Sequence, residues 1–100
     1  MSRWLWRLCL LLGWCISAQA QQVSLVFAGD TTLDGAPGAL IERGGDPLAA
    51  FADLFARADL RVANLECVVA TQGTPGYKNY TFRAHPRVLP VLRRHLDGVT

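Results

Sequence analysis

Two acidic side chains, each placed just after an apolar run, are the residues of this sequence best suited to chemistry. Asp30 follows the apolar residues 23–28, and Glu66 follows a second apolar run, with Asn64 two positions before it. Short apolar runs that end at glycine or polar residues are typical of buried strands. In an α/β sheet, ligands gather at the carboxyl ends of the strands. We therefore expect these three side chains to face one crevice.

Two carboxylates in one crevice repel each other unless a proton or a cation lies between them. Carboxylate and amide oxygens are ligands that hard or borderline divalent ions accept. The pattern thus predicts a site for manganese, zinc or a similar ion, with Asp30, Glu66 and Asn64 as metal residues. A structural alternative stays open, because Asp30 could begin a turn and Glu66 could be a solvent-facing residue at a strand end.

Two cations, Lys78 and Arg83, bracket residues 79–82. Ammonium and guanidinium groups bind carboxylates and phosphates through charge-assisted hydrogen bonds. Lys78 and Arg83 are therefore candidate substrate-binding residues that would hold an anionic group near the metal. The alternative is that both are ordinary surface cations.

A βαβ unit is predicted to position the acidic pair. The first strand begins at Val23 and ends in Gly29-Asp30, and the second covers residues 60–69. A glycine-rich loop at 31–38 and a helix from Asp46 to about Ala58 lie between them. Asp46 and Pro47 provide an N-cap and a proline at the first helical position. Because the joins are short, the two strands should be parallel. Helical spacing predicts a buried stripe at Leu48, Phe51, Ala52 and Phe55.

The remaining residues predict further α/β structure. Residues 80–83 read as a short edge strand or an ordered loop, and a second helix opens at His85 and Pro86. We expect His95 on the surface of that helix, and residues 98–100 to open another strand. The residues expected to face inward are Val88, Leu89, Leu92 and Leu96.

The first twenty residues have the pattern of a secretory signal peptide. Arg3 and Arg7 precede an apolar core at residues 8–16, and a small-x-small site predicts cleavage between Ala20 and Gln21. An uncleaved anchor is the alternative. The protein is therefore expected to be exported to the periplasm, the cell envelope or the exterior.

Beyond the signal, the chain is formally neutral, because eight of the ten Lys and Arg residues and all eight Asp and Glu residues lie there. This balance gives no indication of a nucleic-acid partner. Cys67 is the sole cysteine after residue 20, so an internal disulfide is excluded there. Because buried parallel strands need cover on both faces, we expect residues 21–100 to be the N-terminal portion of a larger, incomplete domain.

Five short motifs in fixed order resemble the bacterial capsule-synthesis family of the CapA, poly-gamma-glutamate type, and the resemblance runs from residue 24 to residue 100. The motifs are FAGD at 27–30, GDP at 45–47, ADL at 58–60, NLEC at 64–67 and YTFRA at 80–84, followed by Pro86.

The resemblance implies a branch of the calcineurin-like metallophosphatase superfamily, whose fold is a two-sheet sandwich flanked by helices. This chain would supply the front part, a βαβ unit plus a further helix. Asp30 matches the aspartate of the first metal motif, and Glu66 matches an acidic residue that contacts the metals, with Asn64 in the same motif. The remaining ligands, an Asn-Asn-His motif and later histidines, would follow Thr100.

Two positions depart from the pattern. Thr32 stands where the superfamily has a histidine, and Ala63 stands where the family has a glycine. Because of the first departure, the sequence does not decide whether the site binds one metal ion or two. The second matters only if the backbone at Ala63 needs a positive φ.

Two functions follow from these observations. The first is an exported metal-dependent hydrolase, phosphoesterase-like, that acts on or assists synthesis of an envelope polyanion such as poly-gamma-glutamate. The second is a non-catalytic envelope component or binding module for polymer synthesis or export. The expected partners are an anionic polymer or phosphoester substrate and membrane-bound components of polymer synthesis. The 100-residue piece by itself is not expected to be active.

Overall fold

The computed structural model describes residues 20–100, which form a mixed α/β fold with parallel strands and thereby confirm the predicted class. The predicted signal peptide lies, except for its last residue, outside the described residues. The strands are β1 (Leu25–Thr31), β2 (Leu60–Leu65), β3 (Val68–Val69), β4 (Arg83–Ala84) and β5 (Gly98–Val99), and the helices are α1 (Gly35–Glu42), α2 (Ala52–Ala56) and α3 (Leu89–His95).

A three-stranded parallel sheet in the order β1-β2-β5 carries the candidate site. The prediction that the first two strands are parallel is confirmed. The strand begins at Leu25, and a bulge at Gly29 lets it continue to Thr31, one residue beyond the predicted end at Gly29-Asp30. Ala28 pairs with Ala63, and after the bulge Asp30 pairs with Asn64. Asp30 therefore lies within a strand and does not begin a turn.

The apolar run at residues 60–69 forms two strands in two sheets, not the single strand predicted. The main-chain N–H of Glu66 donates to the carbonyl of Thr31 over 3.1 Å, which ends the pairing with β1. Two residues later, Val68 donates to the Phe82 carbonyl over 3.0 Å, and β3 pairs with β4 in a separate two-stranded parallel sheet. Polar Glu66 and half-buried Cys67 occupy the crossing between the two sheets.

Helix α1 occupies much of the segment predicted to be a glycine-rich loop. Asp34 is its N-cap, and its C-terminus closes in a Schellman arrangement around Gly44. Gly44 has φ of 84° and donates to the Ile41 carbonyl over 2.9 Å, while Gly45 donates to the Leu40 carbonyl over 2.9 Å. Its several glycines and its proline gave α1 a low intrinsic propensity, so its caps were the only local signal.

Helix α2 is shorter than predicted, because residues 49–51 form a 3₁₀ turn and the α-helix begins only at Ala52. Asp46 caps this turn by accepting a hydrogen bond from the Leu48 N–H over 2.9 Å. Phe55 is buried as expected, but Phe51 is 51 % exposed and Ala52 is exposed as well. The change from 3₁₀ to α geometry shifts the helical phase, which explains why Phe51 leaves the predicted stripe.

The last helix also begins with a 3₁₀ turn, Pro86–Val88, whose N-cap is His85. Two predictions for it were wrong: Leu89 is 49 % exposed, and His95 is buried with 6 % exposure. The buried positions share an i, i+3, i+4, i+7, i+8 spacing. They are Val88, Val91, Leu92, His95 and Leu96.

The hydrophobic core lies between one face of the sheet and the helices, while the other face is open. Val26 and Ala28 of β1 pack against the core. Leu25 and Phe27 point to the opposite face and are exposed, as is Leu60, which pairs with Leu25. The expectation that residues 21–100 belong to a larger domain stays a prediction. No helix within residues 20–100 is long and apolar enough to cross a membrane.

Candidate metal centre

The carboxyl edge of the three-stranded sheet brings Asp30, Asn64 and Glu66 together. The Asn64 Nδ2 group donates to Asp30 Oδ1 over 2.8 Å and to Glu66 Oε2 over 2.8 Å. Because both oxygens contact one nitrogen, the two carboxylates lie close to each other. On the other side of the amide, the Thr100 hydroxyl donates to Asn64 Oδ1 over 3.1 Å. These four side chains are called the edge cluster below.

The backbone of the sheet determines where the members of the edge cluster stand. Asp30 is in register with Asn64 because the bulge at Gly29 shifts the pairing by one residue. Thr100 is bonded on both sides to β2: its N–H donates to the Ala63 carbonyl over 3.0 Å, and its carbonyl accepts from Leu65 over 3.2 Å. Each side chain therefore starts from backbone that is held by a neighbouring strand.

The donor set of the edge cluster fits a divalent cation. Asp30 and Glu66 are exposed and Asn64 is half-buried, so both carboxylates face solvent with most of their acceptor sites free. The salt bridges among residues 20–100 involve other acidic residues, so the only partner shared by the two carboxylates is a neutral amide. In the same part of the chain, no three His, Cys, Asp or Glu side chains form a metal-binding group. The edge cluster thus offers two carboxylate ligands, which the amide holds together, and two carboxylates are part of a coordination sphere.

A cavity of about 860 Å³ adjoins Glu66 and contains both predicted substrate-binding residues, Lys78 and Arg83. The Arg83 guanidinium donates from Nη1 to the Gly73 carbonyl over 3.0 Å, so it also ties down the loop that forms one wall. Tyr80 and Phe82 line the cavity with nearly parallel rings, at an interplanar angle of 13°. The cavity therefore combines cations and apolar surface beside a carboxylate.

Asp34 is a residue of this region that sequence reasoning missed. One carboxylate oxygen accepts from the Gly35 N–H over 2.7 Å, and the other accepts from the Arg83 N–H over 3.0 Å. The hydrogen bond from Arg83, with that from Gly35, lowers the pKa of Asp34. Asp34 thus joins the start of α1 to the strand that carries Arg83. The N-cap pattern ahead of α1 was the signal that could have identified it.

Asp46 does more than cap the turn before α2. Its Oδ2 accepts from Arg94 Nη1 over 2.7 Å and lies 2.8 Å from Nε2 of the buried His95. Burial raises the pKa of Asp46, but the hydrogen bonds with His95, Leu48 and Arg94 outweigh it and bring the pKa below its ordinary value. This group ties the loop before α2 to α3. The i+7 position of His95 in the apolar stripe of α3 was the missed signal.

The alanine that replaces the family's glycine is accommodated. Ala63 is buried in β2, and every positive-φ residue among the described ones is a glycine. The backbone at this position therefore accepts a Cβ without strain.

Comparison with known proteins agrees with the resemblance seen in the sequence. The family model described as bacterial capsule synthesis protein PGA_cap matches residues 24–100. No curated protein and no solved structure matched the chain in the same comparisons. The match covers every strand and helix described above, including the edge cluster and the cavity beside it. The chain therefore belongs to the bacterial capsule synthesis protein family.

Proposed function

We propose that this member of the capsule synthesis family is an exported metal-dependent hydrolase that acts on an envelope polyanion. The observation that carries the proposal is the Asn64 amide, which bridges Asp30 and Glu66 at the ends of neighbouring strands. Holding two exposed carboxylates side by side is unfavourable without a cation. A function in capsule synthesis gives such a site a polymer to act on.

In this proposal, Asp30 and Glu66 hold a divalent ion such as manganese or zinc, and Asn64 keeps the two carboxylates together. A bound divalent ion would supply Lewis-acid polarisation of the bond to be cleaved and an activated water. Further ligands would come from outside the described residues, since the edge cluster offers only two carboxylates.

The cavity beside Glu66 would receive the polymer. Lys78 would pair with a carboxylate or phosphate of the substrate, because an ammonium group is a compact charge that suits either anion. Arg83 would have two roles. Its guanidinium donates one hydrogen bond to the Gly73 carbonyl, and its other N–H groups would be available to bind an anion. Poly-gamma-glutamate, a polycarboxylate, fits these requirements, and so does a phosphoester-linked polymer.

Metal binding is tested by calorimetric titration of the full-length protein with manganese and with zinc. We expect Asp30→Asn and Glu66→Gln each to lower the affinity about 100-fold or more, since each removes a charged ligand. Two matched controls make the same chemical changes at exposed carboxylates outside the edge cluster, Asp53→Asn on α2 and Glu42→Gln on α1. Their affinities should stay within about threefold of the wild type. Equal affinity in the wild type and the Asp30 variant would overturn the metal site.

Hydrolysis is tested separately with a chromogenic phosphodiester and with poly-gamma-glutamate as probes. Release of nitrophenolate or of shortened polymer, dependent on metal and lost in Asp30→Asn, is expected for the enzyme. Metal binding without cleavage of either probe would favour the non-catalytic envelope component. In that case Lys78→Ala should still weaken polymer binding, while Arg93→Ala, an exposed cation on α3, should not.

Export is tested on the same protein in its host. The apolar core at residues 8–16 and the small-x-small site support cleavage after Ala20. Mass spectrometry of the exported protein should find an N-terminus at Gln21. An intact N-terminal Met1 in the membrane fraction would instead indicate an anchor.

A further inference from the structure

We propose that Thr100 and Asn64 form a positioning pair, in which the Thr100 hydroxyl holds the Asn64 amide in the orientation that the two carboxylates require. This inference rests on the proposed function for its purpose, but its geometry stands without a metal. The amide presents Nδ2 to Asp30 and Glu66 and turns Oδ1 toward the Thr100 hydroxyl. Asn64 therefore acts as a hydrogen-bond donor to the ligands of the metal and not as an oxygen ligand.

The hydrogen-bonding inventory of the amide explains this arrangement. A side-chain amide has two N–H donors on nitrogen and only acceptor sites on oxygen, whereas an ionised carboxylate only accepts. With Nδ2 toward the carboxylates, each N–H meets one acceptor. With the amide turned over, Oδ1 would meet two other acceptors, and the half-buried NH₂ group would meet the Thr100 hydroxyl alone. The observed orientation gives a hydrogen-bond partner to both the nitrogen and the oxygen of the amide.

Thr100 is well suited to hold the amide in that orientation, because its backbone is hydrogen-bonded to β2. Its N–H and its carbonyl are both bonded to β2, at Ala63 and Leu65, the residues on either side of Asn64. The hydroxyl is thereby placed 3.1 Å from Oδ1 by neighbouring strands and not by a flexible loop. The two carboxylates select the orientation because they only accept, and the hydroxyl contributes one further hydrogen bond that holds the amide in place.

The consequence for the metal site is preorganisation. Outer hydrogen-bond partners orient metal ligands, and their loss lowers metal affinity by about 10- to 100-fold. Here the NH₂ group would hold the Asp30 and Glu66 carboxylates together before an ion arrives. The Thr100 hydroxyl would act one step further out, through the amide.

The test uses the ¹⁵N-labelled full-length protein without metal and follows the side-chain NH₂ signals of Asn64, assigned by their disappearance in Asn64→Asp. In the wild type, both NH₂ protons should exchange slowly with water because both are hydrogen-bonded. Thr100→Val keeps the β-branched shape but removes the hydroxyl, and we expect at least a tenfold faster exchange. Thr100→Ser keeps the hydroxyl and should restore slow exchange. Thr81→Val, a loss of hydroxyl outside the edge cluster, should leave the signals unchanged.

Metal titration of the same variants completes the test. Thr100→Val should lower manganese affinity about tenfold, whereas Thr100→Ser should stay within about threefold of the wild type. Unchanged Asn64 signals in Thr100→Val, with backbone amides of β2 intact, would overturn the positioning pair. If the wild type binds no metal, the proposed function fails, yet the NH₂ signals still decide the pair. If Asp30→Asn loses metal binding and Thr100→Val does not, the pair alone fails.

Discussion

Carboxylates lie at both ends of the three-stranded sheet, but they have more hydrogen-bond partners within the protein at one end than at the other. At the amino edge, the residue directly before each strand is polar: Ser24 before β1, Asp59 before β2 and Asp97 before β5. Asp97 accepts from Arg61 Nε and Nη2 over 2.9 and 2.8 Å, and Asp59 accepts from Ser24 N and Oγ over 2.8 and 3.0 Å. The carboxylates of this edge are thus bonded by the protein itself.

At the carboxyl edge, the carboxylates have far fewer hydrogen-bond partners. Asp30 and Glu66 share one neutral amide, and the salt bridges within the described part of the chain lie elsewhere. Hydrogen bonds from Arg61 lower the pKa of Asp97 to about 2. The amino edge therefore fastens strands to one another, while the carboxylates of the carboxyl edge keep acceptor sites open to solvent. The contrast indicates that the role of a carboxylate depends on how many of its acceptor sites are already hydrogen-bonded within the fold.

The largest effect that separates the two edges is expected from metal-dependent stability. With manganese at about 100 times its dissociation constant, the wild type should gain about 2.7 kcal/mol of unfolding free energy. The double variant Asp30→Asn, Glu66→Gln should gain none, because its ligands are gone. Thermal or urea unfolding with and without manganese measures the difference.

The control for this prediction is the matching change at the other edge. Asp59→Asn combined with Asp97→Asn should reduce stability with or without metal but keep the gain on adding manganese. A double variant of the amino edge that loses the gain would show that the two edges do not differ as described.

A second prediction concerns Asp46, a carboxylate whose partners come from α3. Asp46→Asn keeps the cap on Leu48 but removes the carboxylate that pairs with Arg94 and lies in contact with His95. We expect a loss of about 1–2 kcal/mol in unfolding free energy, since hydrogen bonds to charged groups are worth about that much. Metal affinity should not change. Asp53→Asn is the matched exposed control, and an equal effect at both positions would contradict the interaction described.

A third prediction is that acid weakens the amino edge through Asp97. Its folded pKa of about 2 lies below its ordinary value of 3.8, so its stabilising contribution is present above that ordinary value. The contribution is lost as the pH falls from about 4 through about 2. Urea unfolding across this range should show a shallower decline in Arg61→Gln than in the wild type. An identical decline in both proteins would mean that the pair does not control the pKa of Asp97.

The smallest effect is expected at Ser24. Its N–H and hydroxyl together lower the pKa of Asp59, with the N–H contributing most. Ser24→Ala removes only the hydroxyl, so the pKa of Asp59 should rise part of the way toward 3.8. Carbon-detected NMR titration of the Asp59 carboxyl measures the shift. No change at all would assign the whole effect to the backbone.

Much of the fold could be predicted because strong local patterns agreed with the tertiary structure. The apolar runs identified β1 and β2, and the short connection between them implied parallel pairing, as observed. The run at residues 60–69 was predicted as one strand because an apolar pattern does not show where a chain leaves one sheet and enters another. Helix α1 was missed because its glycines and proline give it a low helix propensity. Its caps and tertiary contacts stabilise it instead.

Three of the four members of the edge cluster were predicted from the sequence, but the hydrogen bonds among them were not. Residue types and strand order were enough to bring Asp30, Asn64 and Glu66 to one edge, since parallel strands end together. The role of Thr100 and the bond between Asp34 and Arg83 were not predictable, because each depends on a partner far along the chain. Arg83 was predicted as an anion binder, and its bonds to Gly73 and Asp34 became visible only in the structure.

The sequence by itself determined the α/β class, the parallel pair of strands and the family to which the chain belongs. These depend on hydrophobic periodicity and on short motifs, which are local properties of the chain. Only the tertiary structure decided which acidic residues find partners: Asp97 meets Arg61, Asp46 meets His95, and Asp30 and Glu66 share an amide. The reason is that a carboxylate finds a hydrogen-bond or ion-pair partner only if a residue tens of positions away in the sequence lies close to it. Folding alone establishes those distances.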